Sequence, residues 1–389
     1  MKYTTFTKTG QQVSLLGMGT MRLPQTADCK TDEAASIALI RKAIDSGINY
    51  VDTAYMYHDG QSEVITGKAL ADGYREKVLL ADKMPIWLAK DADGMAAIFE
   101  TQLQRLGTDL IDMYLVHNLT VPLWERCRKF GLLPYLEEQK RLGRIRHIGF
   151  SFHDELPFFK ELIDAYPWDF CQIQLNYMDQ EYQAGVEGLR YAVEKGIPVI
   201  IMEPLKGGKL TDRIPPVIQE IWDGASVKRS PAEWAFRWVA DQPGVLTILS
   251  GMSAESQLDE NLEIFDKMEK PLLTEEERSR IDKVAALYNQ LIPYSCTACK
   301  YCMPCPQKID IPTFIELFNE WHVYEQNPKV MVNFGWWFPK YKPSLCTGCK
   351  ACESHCPQHL PISRIMSEGS MIFEGKPCAG DVSKGTEEE

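Results

Sequence analysis

No apolar run in this chain approaches the roughly 18 residues needed to cross a bilayer. The opening Met1-Lys2-Tyr3-Thr4-Thr5-Phe6-Thr7-Lys8 has none of the apolar stretch that a secretory leader carries. Positive charge is in deficit, with 42 Lys and Arg against 54 Asp and Glu, a formal net charge of −12. A chain this acidic is poorly suited to nucleic acid or an anionic membrane surface. Low-complexity tracts are missing, and with 45% hydrophobic and 25% charged residues wholesale disorder, collagen and coiled coil are excluded. Gly17-Met18-Gly19-Thr20 does not continue into G-x-G-x-x-G, the usual mark of an open, doubly wound dinucleotide-binding sheet. The expectation is a cytoplasmic globular protein that acts on a small molecule.

What is present is first of all a repeat. Eight short β-friendly runs stand at 13–21, 47–53, 77–83, 110–117, 145–151, 169–175, 197–205 and 244–251. Helix-like stretches alternate with them at about 32–46, 61–72, 92–106, 132–142, 155–164, 182–195, 230–241 and 254–268, with Asp154 and Ser230-Pro231 as start signals for two. Strict strand–helix alternation means a parallel sheet, and eight units close a (β/α)₈ barrel. The open sheet is the alternative. Residues 1–12 read as a hairpin over the closed end of the barrel. The domain reading is a barrel over 1–272, a linker helix over 273–292 with Thr274 and Glu277 as a capping box, a mainly helical cysteine-rich domain over 293–373 and a polar tail over 374–389.

Chemistry in such a barrel sits at the C-terminal ends of the strands. Strand two is followed by Asp52, Thr53 and Tyr57, strand three ends in Lys83 and strand four in His117. A phenol is a weak acid at neutral pH, and a neighbouring ammonium favours its ionised form. Asp52 would anchor the ammonium of Lys83. Tyr57 would then donate a proton to a carbonyl oxygen that becomes alkoxide as hydride arrives, with His117 orienting the carbonyl. Strands five to eight end in Ser151, Gln174, Glu203 and Ser250.

Over about residues 5–268 the sequence resembles the aldo-keto reductase family. VDTAYMY (51–57), LGTDLIDMYLVH (106–117) and GRIRHIGFS (143–151) are similar to its motifs, with all four candidate catalytic positions at matching spacing. The resemblance implies a nicotinamide cofactor. Ser151 and Gln174 match positions that bind the carboxamide, and Met202 stands where many relatives have a stacked Tyr. The loop from Glu203 to Lys209, including Lys206 and Gly207, matches the segment over the pyrophosphate. Gly251, Ser253, Gln257, Glu260 and Asn261 match the adenosine end. Because 251–262 contains no Lys or Arg, NADH and NADPH both stay open. His153 reads as a polar strand-end residue. Trp124, Phe130 and Trp222, in pocket loops at about 22–31, 118–131 and 204–229, point to an apolar or aromatic carbonyl substrate.

Eight of the 12 cysteines fall between 296 and 356. One run is Cys296, Cys299, Cys302 and Cys305-Pro306; the other is Cys346, Cys349, Cys352 and Cys356-Pro357. The second has the bacterial ferredoxin spacing C-x₂-C-x₂-C-x₃-C-P, in which the fourth Cys ligates the other cluster. Two [4Fe–4S] clusters are expected, one on Cys296, Cys299, Cys302 and Cys356 and the other on Cys346, Cys349, Cys352 and Cys305. Two zinc sites are the alternative. Trp321, Trp336, Trp337 and Phe338 are expected to pack around the clusters. The whole chain resembles a bacterial subgroup of aldo-keto reductases with a C-terminal two-cluster ferredoxin domain. Two functions follow. One is nicotinamide-dependent carbonyl reduction or its reverse, with clusters for structure or for electrons from ferredoxin or another donor. The other is an electron-transfer or redox-sensing protein whose barrel binds nicotinamide as a signal.

Overall fold

A computed structural model describes residues 1–26, 28, 30–296 and 300–375. Cys29, Cys299, Cys378 and the rest of the tail lie outside the described residues. The chain forms two compact units. One comprises 1–26, 30–204 and 232–274, and the other chiefly 205–231 and the described residues from Glu275 onward.

In the first unit every expected run becomes a barrel strand: Leu16–Gly19, Tyr50–Asp52, Leu79–Met84, Ile111–Leu119, Ile145–Phe152, Phe170–Gln174, Val199–Met202 and Val245–Ser250. Each pairs in parallel with the next, and the eighth closes on the first. This is the (β/α)₈ barrel and not the open sheet. The strands Tyr3–Phe6 and Gln11–Ser14 form the expected antiparallel hairpin. Phe6 and Val13 are fully buried in the barrel's interior cluster, beside Tyr50 and Leu79 from strand starts.

The two-residue period of a strand places the site. Tyr50, Leu79, Ala81, Met113, Leu115 and Phe170 all belong to that interior cluster. Counting on by twos along each strand reaches Asp52, Lys83, His117 and Gln174 as the last inward positions. The same strands that fill the core therefore aim these side chains into the mouth. Close strand packing supports this at Gly149, where an added Cβ would lie 2.7 Å from the Phe170 ring and from its carbonyl oxygen. Gly149→Ala is expected to cost about 1–3 kcal/mol, seen as a lower denaturation midpoint. An unchanged midpoint would mean that the fifth and sixth strands tolerate a wider spacing.

Several local expectations are corrected. The helix Leu156–Ala165 is preceded by Glu155, not capped by Asp154. Asp154 instead accepts from the amides of Glu155 and Val121, each at a normal distance of 2.8 and 2.9 Å. The supposed pocket loops hold helices, Val121–Phe130 and Pro216–Asp223, each with Pro in its first turn where no amide hydrogen bond is lost. Trp124 and Trp222 are buried on the inner faces of these helices, so they support the scaffold. Trp124 packs against Trp168 with 6.2 Å between ring centroids.

The second unit is helical, with Glu275–Gln290, Ile311–Val323, Pro328–Trp337 and Ile362–Phe373 as its main helices. Phe314, Phe318, Trp321, Phe334, Phe338 and Phe373 form its core. Trp336 and Trp337 do not pack there; they are 62% and 66% exposed. Val330, Phe334 and Phe338 recur every four residues and occupy the inner stripe, which leaves Trp336 half a turn away and Trp337 at the helix end.

Candidate active site and cluster cavities

Lys83 is fully buried, and its Nζ donates to Asp52 Oδ1 at 2.6 Å and to the Thr53 carbonyl at 2.7 Å. The same ammonium lies 5.0 Å from the centroid of the Tyr57 ring. Tyr57 meets His117 edge-on at 6.1 Å between centroids. A tight turn delivers Tyr57 here, with His58 and Asp59 both in left-handed conformation. His58 holds that turn: its Nε2 accepts from the Leu23 amide at 3.1 Å and its Nδ1 pairs with Thr31 Oγ1 at 2.8 Å. The four expected catalytic side chains are thus brought together.

Their electrostatics are dominated by burial. Burial lowers the His117 imidazole well below its usual value, and the Lys83 and His153 charges lower it further. His117 is therefore neutral. For Tyr57, burial raises the phenol above its ordinary value; Lys83 opposes this, and Asp52 and Glu203 reinforce it. The expected tuning by Lys83 is present but outweighed, so Tyr57 stays a protonated phenol. Burial alone would discharge Lys83, yet the Asp52 charge and hydrogen bond leave its net shift upward, so the ammonium persists.

Other residues join them. His153 lies within the same cluster, burial lowering its imidazole while the charges of Glu203 and Lys83 act on it in opposite senses. It follows directly on the strand Ile145–Phe152, as its strand-end reading has it. Trp87, four residues beyond Lys83, has its ring centroid 5.1 Å from that of His117. Arg22 places Nη2 3.4 Å from Glu203 Oε1 and packs along Gly251. Nothing in one sequence marks Trp87 and Arg22, because each is an isolated residue made significant by strand-end convergence.

Ser151 Oγ accepts from the Asn118 amide at 2.8 Å, which leaves the hydroxyl proton to donate. Gln174 Nε2 reaches Asp179 Oδ2 at 3.3 Å. Among the described residues, His117 Nδ1 and Gln172 Oε1 are buried without a protein hydrogen-bond partner. Of these, His117 Nδ1 suits a polar ligand at the mouth, since leaving it unpaired is costly. A nicotinamide carboxamide, with both donor and acceptor groups, fits this donor–acceptor set. Ser253 and Gln257 bond each other, the Ser253 amide donating to Gln257 Oε1 at 2.8 Å, and both are exposed with Glu260. Asn261 is buried and donates to Ser250 Oγ at 3.1 Å. Lys206 and Gly207 belong to the second unit, in a short turn with left-handed backbone. In that unit Lys209 Nζ binds Glu320 Oε1 at 2.6 Å, and Lys206 Nζ lies 3.9 Å from the same oxygen.

The cysteines frame two cavities in the second unit. One, of about 220 Å³, has Cys302, Cys305, Cys346, Cys349 and Cys352 in its walls. The other has Cys296, Cys302 and Cys356. Cys305 thus faces the cavity of the second run, and Cys356 that of the first. No three His, Cys, Asp or Glu side chains among the described residues gather as a single metal ion requires. Thiols spread around a cavity fit a cube of iron and sulfur.

Comparison with known proteins agrees with both halves. The sequence pattern of the Aldo/keto reductase family matches residues 15–286, and that of a 4Fe-4S dicluster domain matches 295–360. The chain is 31% identical over 308 residues to the aldo-keto reductase YhdN of Bacillus subtilis, covering 68% of this chain and 88% of that protein. The holo form of the aldo-keto reductase AKR11C1 from Bacillus halodurans superposes with a TM-score of 0.60 at 26% identity, covering 73% of this chain and 96% of that one. An aldo/keto reductase from Klebsiella pneumoniae in complex with NADP and acetate gives 0.57 at 27% identity, covering 71% and 93%. No helix among the described residues is long and apolar enough to cross a membrane. With a family match across most of its length and a dicluster domain behind it, the chain belongs to the aldo/keto reductase family and is an oxidoreductase that carries two [4Fe–4S] clusters.

Proposed function

We propose that the barrel reduces an aldehyde or ketone, or runs the reverse reaction, with NADPH or NADH. The observation that carries this reading is the buried Lys83 ammonium held between Asp52 and the Tyr57 ring. Ser151 and Gln174 would hold the carboxamide, and Ser253, Gln257, Glu260 and Asn261 the adenosine end. Lys206 and Gly207 are assigned to the pyrophosphate on the sequence pattern alone. When bound, the reduced nicotinamide supplies hydride to the carbonyl carbon. Tyr57 gives its proton to the carbonyl oxygen, the nearby Lys83 charge favours the phenolate left behind, and Asp52 keeps that charge in place. Neutral His117 hydrogen-bonds the carbonyl without competing as an acid. Trp87 fits a flat or apolar substrate face. The substrate is a small-molecule carbonyl compound.

The clusters serve a different traffic. Nicotinamide moves two electrons as hydride, whereas an iron–sulfur cluster moves one at a time. They act as a one-electron relay or as structural cement, outside the hydride step. Steady-state reduction of small aldehydes and ketones under anaerobic conditions, followed against pH, tests the barrel reading. Because His117 is shifted down and Tyr57 up, kcat/KM is expected to stay within about twofold from pH 6 to 9 and to fall only on the alkaline side. An acid limb near the usual imidazole value of about 6.5 would contradict a neutral His117. Absence of any carbonyl turnover would overturn the reading itself.

A further inference from the structure

We infer that the cluster module carries a docking face for a small acidic one-electron carrier protein, centred on the rim of the cavity that holds Cys349. This rests on the cluster assignment above and deepens it by naming the partner's chemistry. Cys349 is solvent-exposed, while the cysteines beside it in the cavity wall are half-buried. A group bound there presents one edge outward. Lys350 and Tyr301 stand in the same wall, and Tyr301 is 67% exposed. Lys308 donates its amide to the Cys305 carbonyl at 2.8 Å, which ties its backbone to the cavity. Lys308 and Lys340 flank the Tyr341 ring at 5.7 and 5.3 Å. Lys300 borders the second cavity.

Lys300, Lys308, Lys340 and Lys350 are all exposed, and none forms an ion pair among the described residues. Two carboxylates, Glu353 and Asp310, lie near these four lysines. Glu353 feels the Lys350 charge but holds the Ser363 amide and hydroxyl at 2.8 and 2.5 Å. Asp310 caps the helix that starts at Ile311. Residues 293–373 carry seven Lys and Arg against six Asp and Glu, in a chain whose net charge is −12. The module therefore does not share the acidic excess of the whole chain. Unpaired lysines around an exposed thiolate edge steer an acidic partner into contact and orient it there. Exposed Tyr301 adds the small apolar centre that electron-transfer encounters use, within an interface below about 1,200 Å². In each event one electron leaves the reduced carrier and one enters the cluster, so no further reactant is needed.

The test uses the full-length protein with both clusters and a reduced bacterial two-cluster ferredoxin as the acidic probe. Anaerobic stopped-flow follows cluster bleaching and gives a second-order rate constant at low and high salt. The variant is Lys308→Glu with Lys340→Glu; Lys350 is left alone because it adjoins Cys349. Iron content and the reduction potential of the variant are measured first. If the parent protein also lacks iron, the cluster assignment fails and not the docking face; if only the double variant lacks it, Lys340→Glu alone is measured in its place. With iron and potential unchanged, the variant is expected to react at least ~10-fold more slowly at low salt and like the parent at high salt. A rate within twofold of the parent at low salt, or a parent rate indifferent to salt, would overturn the proposal.

Discussion

Replacing Tyr57 with Phe is expected to lower kcat for carbonyl reduction by about 10³-fold, within the range that a positioned general acid contributes. Nucleotide affinity should be unchanged. The substitution removes one hydroxyl and keeps the ring that lies 5.0 Å from the Lys83 ammonium and 6.1 Å from His117. Lys83 keeps its 2.6 Å bond to Asp52, so no buried charge is stranded and the fold should survive. Nucleotide binding by titration and kcat by steady-state kinetics separate the two effects. A loss below tenfold would move the proton donor to another group, His117 first. Loss of nucleotide binding together with turnover would make Tyr57 a binding residue.

The second large effect concerns the crossed cysteines. Cys305 lines the cavity of Cys346, Cys349 and Cys352, Cys356 lines that of Cys296, and Cys302 borders both. Two clusters bring about eight irons in total. A variant with Cys305→Ser and Cys346→Ser strikes a single cluster twice and is expected to keep about four irons. A variant with Cys305→Ser and Cys296→Ser strikes both and is expected to retain almost none. If each run holds its own cluster, the two results exchange places. Iron analysis and low-temperature spin resonance of the reduced proteins read the outcome, independently of turnover.

The barrel was legible because its period is coarse. Eight runs of β-friendly residues with helices between them admit few parallel sheets, and small boundary errors leave the inward face unchanged. Asp52, Lys83 and His117 could be found because each falls two residues beyond a buried interior position on its own strand. What escaped was whatever depends on three-dimensional convergence. Trp87 and Arg22 follow strand ends singly, with no partner nearby in sequence. Trp124 and Trp222 looked like pocket residues only while their segments were read as loops; as helices they turn inward. The grouping of 205–231 with the C-terminal module was invisible for the same reason. It depends on contacts such as Lys209 with Glu320, which are 111 positions apart. Trp336 shows the limit of composition, since an aromatic near cysteines was taken for packing and is instead exposed.

The central claim is that one chain runs two separate electron economies, hydride at the Tyr57 site and single electrons at the cysteine cavities. An anaerobic titration of the two-cluster protein with NADPH and then NADH tests it most directly, following cluster absorbance near ~400 nm and nucleotide oxidation together. The account predicts that neither nucleotide bleaches the clusters, that dithionite does, and that adding a carbonyl substrate starts nucleotide oxidation with the cluster absorbance unchanged. Stoichiometric bleaching by nucleotide alone would contradict it and require a mediator between the two sites.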